Sequence, residues 1–187
     1  MKMLVGATVT AAALALPQGV AACDQLSANV WMCAKGTPWA AAEWDPYGDG
    51  ATLLLDDLVL NFTEDWPGAE IRDDLSTLRE QFVTYAELVE ADGNPPLEVK
   101  EQSELDIPAG KAFRSLQRDR YDDLETVSAV MLAQVDVARI MLWLDGPRTM
   151  SWDDMDAASR EVLETLRNIC ADPDDCAAPN QERVESE

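Results

Sequence analysis

The chain has 187 residues, with 36 acidic against 14 basic side chains and no histidine, for a formal net charge of −22. That balance excludes the cationic footprint nucleic acid requires, and the missing imidazole excludes Ser-His-Asp and Cys-His catalysis and every His-ligated metal. At 47% hydrophobic residues the chain has the apolar material for a folded domain, and it contains no glycine-rich phosphate or dinucleotide loop.

Lys2 is the one charged side chain ahead of Asp24. The apolar stretch from Met3 to Leu16, the break at Pro17-Gln18 and the small residues Val20-Ala21-Ala22 read as a secretory signal peptide over residues 1–22. Gly6, Thr8, Thr10, Pro17 and Gln18 dilute this stretch too much for an anchor, so no membrane span is expected after cleavage. Cleavage before Cys23 predicts a periplasmic or secreted protein. Val20-Ala21-Ala22-Cys23 also resembles a bacterial lipobox, and a lipoprotein anchored through Cys23 is the alternative. It would leave an odd number of thiols in an oxidising compartment.

The four cysteines form two close pairs, Cys23/Cys33 and Cys170/Cys176. Of the three connectivities the local one is simplest, each short loop contributing roughly 2–3 kcal/mol on the chain-entropy model. A clasp between the two ends of the chain stays open. The spacings lack the C-x2-C knuckle of a zinc site and the CxxC of a redox protein.

The N-terminal segment 23–50 is rich in tryptophan. Trp31, Trp39 and Trp44, with Trp66 beyond it, suit either a ligand surface or a lid on a small core near Cys33. Asp45, Asp49 and Asp56, with Gly50, faintly echo a Ca2+ loop. Tyr47 stands where a ligand is wanted, and Asp56 is shorter than the bidentate Glu of such loops. The competing reading is a turn leading into a strand. No cofactor is expected, Ca2+ at these three aspartates being the alternative to the turn.

Ala51–Leu55 and Leu58–Phe62 flank Asp56-Asp57 and predict a hairpin. Pro67-Gly68 opens a predicted helix whose apolar stripe is Ile71, Leu75, Leu78, Phe82 and Val89, with Tyr85 in the turn between the last two. Gly93-Asn94-Pro95-Pro96 ends it. Leu97, Val99, Leu105 and Ile107 share one parity and predict a strand, with a partner strand over 111–119. Thr126–Ala133 and Val137–Leu144 predict a second antiparallel pair. In its second member Ala138, Ile140, Leu142 and Leu144 face one way, and Arg139, Met141 and Trp143 the other. A last helix starts after Ser151, an N-cap followed by Asp153 and Asp154, with Met155, Val162, Leu166 and Ile169 as its stripe. Asp153, Asp154 and Asp156 suit either a basic partner or the helix dipole. Residues 51–176 are expected to form a single domain, and 177–187 a flexible acidic tail.

This order predicts an α+β fold, an antiparallel β-sheet packed with helices. Three features carry a likeness to a known group: the helix bearing Ile71, Leu75 and Leu78, the strand ending Leu142-Trp143-Leu144-Asp145-Gly146-Pro147, and the closing helix at 151–169. Through them, over about residues 51–169, the chain resembles the PsbP-type fold, a group that includes the exported DcrB-like proteins of bacteria. The resemblance implies an accessory or binding role, and no site residue is carried over from it.

The leading functional expectation is an exported non-catalytic accessory or interaction protein of the bacterial envelope, with a basic protein as the natural partner of so acidic a surface. Alternatives are a cation- or small-ligand-binding module and a hydrolase using acidic side chains. No catalytic pair is singled out, since 36 acids can supply any pair. Self-repulsion at this charge is screened over about 8 Å at physiological ionic strength. The unfolding midpoint is therefore expected to rise from low salt to half-molar NaCl, followed by circular dichroism; a flat response would remove the reading of the charge as adaptation to a salty exterior.

Overall fold

The computed structural model describes residues 23–27, 29–45, 51–63, 77–121, 123–135 and 138–168. The expectations for residues 1–22, Asp49, Trp66, Cys170, Cys176 and 177–187 lie outside these. A helix start at Pro67-Gly68 and the stripe positions Ile71, Leu75 and Ile169 lie outside them too.

The fold is α+β. Strands β3 (Glu43–Trp44), β4 (Thr52–Leu55), β5 (Leu58–Thr63), β6 (Glu98–Ile107), β7 (Gly110–Tyr121), β8 (Leu124–Val135) and β9 (Ala138–Pro147) form one antiparallel sheet in the order β3-β4-β5-β9-β8-β7-β6. Hairpins join β4 to β5 and link β6 through β9. Asp56 takes a left-handed conformation (φ +52) in the β4–β5 turn, which short Asp tolerates better than branched residues. Helix α1 (Leu78–Ala91) packs on one face of the sheet and α2 (Trp152–Thr165) on the other. Before the large sheet, β1 (Asp24–Gln25) and β2 (Trp31–Met32) form a hairpin. The last described strand, β10 (Leu166–Arg167), joins β2 to make a small second sheet.

The predicted alternation in β9 holds. Ile140, Leu142 and Leu144 enter the core beneath α2, while Met141 and Trp143 face α1. On the α2 face they meet Leu60, Phe62, Leu116, Val127, Ala129 and Met131, together with Met155, Val162 and Leu163 of the helix. Leu26, Val30, Met32, Ala34 and Trp39 of the N-terminal segment enter the same core. Fully burying side chains of this size contributes about 1.5–3 kcal/mol each.

Three local expectations are corrected. First, α1 starts at Leu78: Thr77 is extended (ψ 157) and forms a capping box with Glu80, so the backbone cannot continue a helix through 77. Second, the parity shared by Leu97, Val99, Leu105 and Ile107 breaks at a bulge between Val99 and Glu101. Leu105 and Ile107 pack on the α2-side core, whereas Val99 pairs with Gln117 on the opposite face and stays 47% exposed. Third, α2 stops at Thr165, and Leu166 is extended (ψ 138). The Thr165 carbonyl accepts from the Cys33 N–H at 2.8 Å, and the next two residues pair with β2, so Leu166 reaches the core from a strand.

One ionic contact pins α2. Arg114 on β7 is completely buried, and its guanidinium donates to Asp156 Oδ1 at 2.5 Å and to Ser159 Oγ at 2.8 Å, with Glu101 3.9 Å away. Hydrogen bonds from Arg160 and then Arg114 hold the Asp156 carboxyl below the usual carboxylate range. Removing one partner of such a pair is far more harmful when it strands the buried charge. Asp156→Ala is therefore expected to lower the unfolding free energy by about 3 kcal/mol in urea titrations. Arg114→Met, which removes the buried charge itself, is expected to lower it by about 1 kcal/mol or less. Equal losses would show that desolvation of Arg114 does not govern this contact.

Candidate functional site

Helix α1 covers only part of its face of the sheet. Leu78 and Phe82 pack on Phe113, Val130, Leu132 and Met141, with the Phe82 and Phe113 rings 5.0 Å apart. Toward the ends of the strands that carry Asp119, Thr126 and Pro147 the helix gives way to Asn94-Pro95. A groove of about 1000 Å³ lies open there. Tyr85 and Val89 form its helical wall. Its sheet-side lining comes from Val59 and Asn61 of β5, Gln117 and Asp119 of β7, Thr126 and Val130 of β8, and Trp143 and Asp145 of β9. Register brings these side chains to one face: Asn61 pairs with Trp143, and Trp143 with Val130, while Val59 pairs with Asp145, and Asp145 with Ser128.

A chain of polar contacts crosses this floor. The Trp143 indole N–H donates to the Tyr85 hydroxyl at 2.9 Å, the two rings lying 5.7 Å apart. Ser115 Oγ donates to Gln117 Oε1 at 2.8 Å, and the Gln117 amide spans both Asp119 oxygens at 2.9 Å. The Thr126 and Ser128 hydroxyls are 2.9 Å apart, and Ser128 donates to Asp145 Oδ1 at 2.6 Å. Burial pushes the Asp119 carboxyl up, against the opposing help of Gln117 and Ser128. Burial also pushes Asp145 up, and the negative charge of Asp119 adds to the rise. The Tyr85 hydroxyl is raised for the same first reason. The Ser128 hydroxyl proton goes to Asp145, and a hydroxyl donates once, so it is not also available to Asp119. Full ionisation of both acids leaves the pair short of donors.

The mouth carries opposite charge. Arg120 and Arg148 both turn onto Glu125, at 2.6 and 3.5 Å, and the Arg120 hydrogen bond holds Glu125 below the ordinary range. Beside the groove Leu124 is 65% exposed.

The residues singled out from sequence lie elsewhere. Cys23 and Cys33 form a disulfide across the β1–β2 hairpin. Trp39 is buried in the main core, Trp31 is half-buried on β2, and Trp44 packs edge-on against Phe62 at the sheet's β3 edge. The three do not converge on one surface. Asp45, whose N–H bonds to the Thr52 carbonyl, and Asp56 sit at opposite ends of β4, roughly 13 Å apart along a strand of this rise. Among the described residues no group of three or more Cys, Asp or Glu is placed to hold a metal ion, and no helix is long and apolar enough to cross a membrane. Asp153 and Asp154 occupy the first turn of α2, where Ser151 caps Asp154 N–H at 3.1 Å, and Asp156 is engaged by two arginines. The groove residues Tyr85, Asp119, Ser128, Trp143 and Asp145 escaped sequence reasoning. Their signal was a row of polar and aromatic residues at one parity on three neighbouring strands. No protein-family model matches the chain, and no curated protein shows significant similarity to it.

A carboxyl titrating higher in the folded protein than in the unfolded chain subtracts stability as pH rises through that interval. Asp145→Asn keeps an acceptor for Ser128 and removes the repulsion. The variant is expected to melt above wild type at pH 7, with the gap closing as pH falls to about 4, where the unfolded carboxyl also protonates. Calorimetric melting across that range reads it; a gap independent of pH would show that Asp145 is not strained by its charge.

Proposed function

We propose that this chain is an exported, non-catalytic binding protein of the bacterial envelope, which holds a small organic ligand in the groove beside α1. The observation that carries this reading is the groove itself: about 1000 Å³, with the Trp143–Tyr85 pair, Val59, Val89 and Val130 as apolar surface and a few convergent polar groups. That mixture is what small-ligand sites use, apolar area for affinity and a few fixed polar groups for orientation. Export is supported by the signal-like residues 1–22 and by the Cys23–Cys33 disulfide, a bond that persists in oxidising compartments. The same bond occupies the Cys23 sulfur that a lipid thioether would need, which favours a cleaved, periplasmic or secreted form over a lipoprotein. The likeness of element order to the PsbP-type fold fits an accessory role, and the acidic surface fits a basic protein partner. The acid pair gives the hydrolase reading its one support. Both acids, however, project from the same sheet face, whereas glycosidase chemistry sets its two carboxyls on either side of the bond to be cut.

The neutral dye Nile red tests the groove. Its fluorescence is expected to rise saturably with the wild-type protein, and Val59→Trp, which fills the floor, is expected to weaken the dye at least about tenfold. Equal binding by both proteins, or none by wild type, would remove the reading.

A further inference from the structure

The groove is charged in a way that selects its occupant. Its two arginines, Arg120 and Arg148, are both committed to Glu125 at the mouth. Deeper, Asp119 and Asp145 lie on the floor beside Trp143, and Asp57 and Asp123 add further negative charge to the lining. The floor therefore offers acceptors in excess of donors. Asp145 Oδ1 accepts from the Ser128 hydroxyl, Gln117 supplies a single NH2 group to Asp119, and among the described residues no other side chain donates to Asp145. A ligand bearing its own N–H donors and a positive charge makes good the deficit.

We propose that the groove takes an organic cation, a protonated amine on an apolar or aromatic body, with the ammonium against Asp119 and Asp145 and the body against Trp143 and Val130. This rests on the groove being a ligand site and adds the chemical class of the ligand. An ammonium brings three donors and a full charge to a half-buried pair of acceptors, and the Trp143 ring face favours a nearby cation. The rise of both carboxyls above their ordinary range, caused first by burial, agrees with a pair short of donors. The other titratable or charged groups lining the groove are Tyr85 from α1, raised by burial, Glu125 on β8, lowered by its Arg120 hydrogen bond, and Asp57, Asp123, Arg120 and Arg148.

Isothermal titration calorimetry on the full chain compares 2-phenylethylamine, its neutral isostere 2-phenylethanol and the anion 3-phenylpropionate. At pH 7.5 the amine is expected to bind at least about tenfold tighter than the alcohol, with the anion weakest. Its affinity is expected to fall as acidification begins to protonate the pair, approaching about tenfold per pH unit for one competing proton, while the alcohol's stays level. Asp119→Asn/Asp145→Asn is expected to bind the alcohol as before and to lose the preference for the amine. Equal affinities for amine and alcohol, or a preference that survives the double substitution, would overturn the cation assignment while leaving the groove a ligand site. Loss of all three probes together with Nile red would instead overturn the groove reading and this inference with it. Amine binding undiminished in Val59→Trp would place the cation on the acidic surface and sink the proposal.

Discussion

The governing constraint is a mismatch of areas: the sheet is wider than the helices that cover it. Seven strands, four of them ten to twelve residues long, meet two helices of fourteen residues each. A sheet face without a cover must either be polar or gain one. On one face α2 is supplemented by the N-terminal segment, whose Leu26, Val30, Met32 and Trp39 complete the apolar seal. On the other, α1 is the cover that the described residues supply, and the strands turn polar where the helix runs out. Phe113, Leu132 and Met141 lie under the helix, while Gln117, Asp119, Thr126 and Asp145 lie beyond it on the same strands. Among the described residues the groove is the remainder of that face, and its polar side chains suit a surface that stays wet or is filled.

Two aspartate environments show how position decides the role of identical side chains. Asp156 meets Arg114 and Arg160, so its charge is stabilised and it joins α2 to β7. Asp119 and Asp145 meet only neutral donors and each other, and burial then works against ionisation. In the first arrangement Arg114 has no access to water, and its charge is met from α2 and β6 although its buried Nε has no partner among the described residues. The second has more acceptor oxygens than donors, and a neutral Asn in either place would satisfy the same hydroxyl and amide without a buried charge.

Much of the fold was legible because strand parity and turn chemistry are local. The Asp56-Asp57 hairpin, the two faces of β9, the Ser151 cap and the stop at Gly93 all follow from residues within a few positions of one another. What failed required knowledge of neighbours. A one-residue bulge at Val99/Glu101 leaves the sequence alternation unchanged yet turns half the strand over, and only the pairing with β7 reveals it. Leu166 sits at helical spacing from Val162 and is buried as expected, but the edge of β2 captures it as a strand. Thr77-Leu78-Arg79-Glu80 did carry a readable capping box, and the apolar residues on either side of it masked the boundary. The site was the least legible part. In a chain with 36 acidic residues no single aspartate stands out, and Asp119 and Asp145 become a pair only when β8 lies between β7 and β9.

The remaining acids have a physical use that needs no ligand. Strand β6 is the edge of the large sheet, ten residues long, and an edge of that length is a template for pairing with another chain. It carries Glu98, Glu101, Glu104 and Asp106, all exposed, with a bulge near its start. A second copy approaching this edge would bring the same four carboxylates against them, and the bulge would spoil its register. At the opposite edge β3 is only two residues long, too short to template much. Sheet edges are thus guarded by charge on one side and by brevity on the other. That accounts for part of the net charge as protection against edge-to-edge pairing and separates it from the half-buried carboxyls of the groove. Those two add nothing to the defence of an edge and are held where burial disfavours their ionisation, so solubility does not account for their place in the fold.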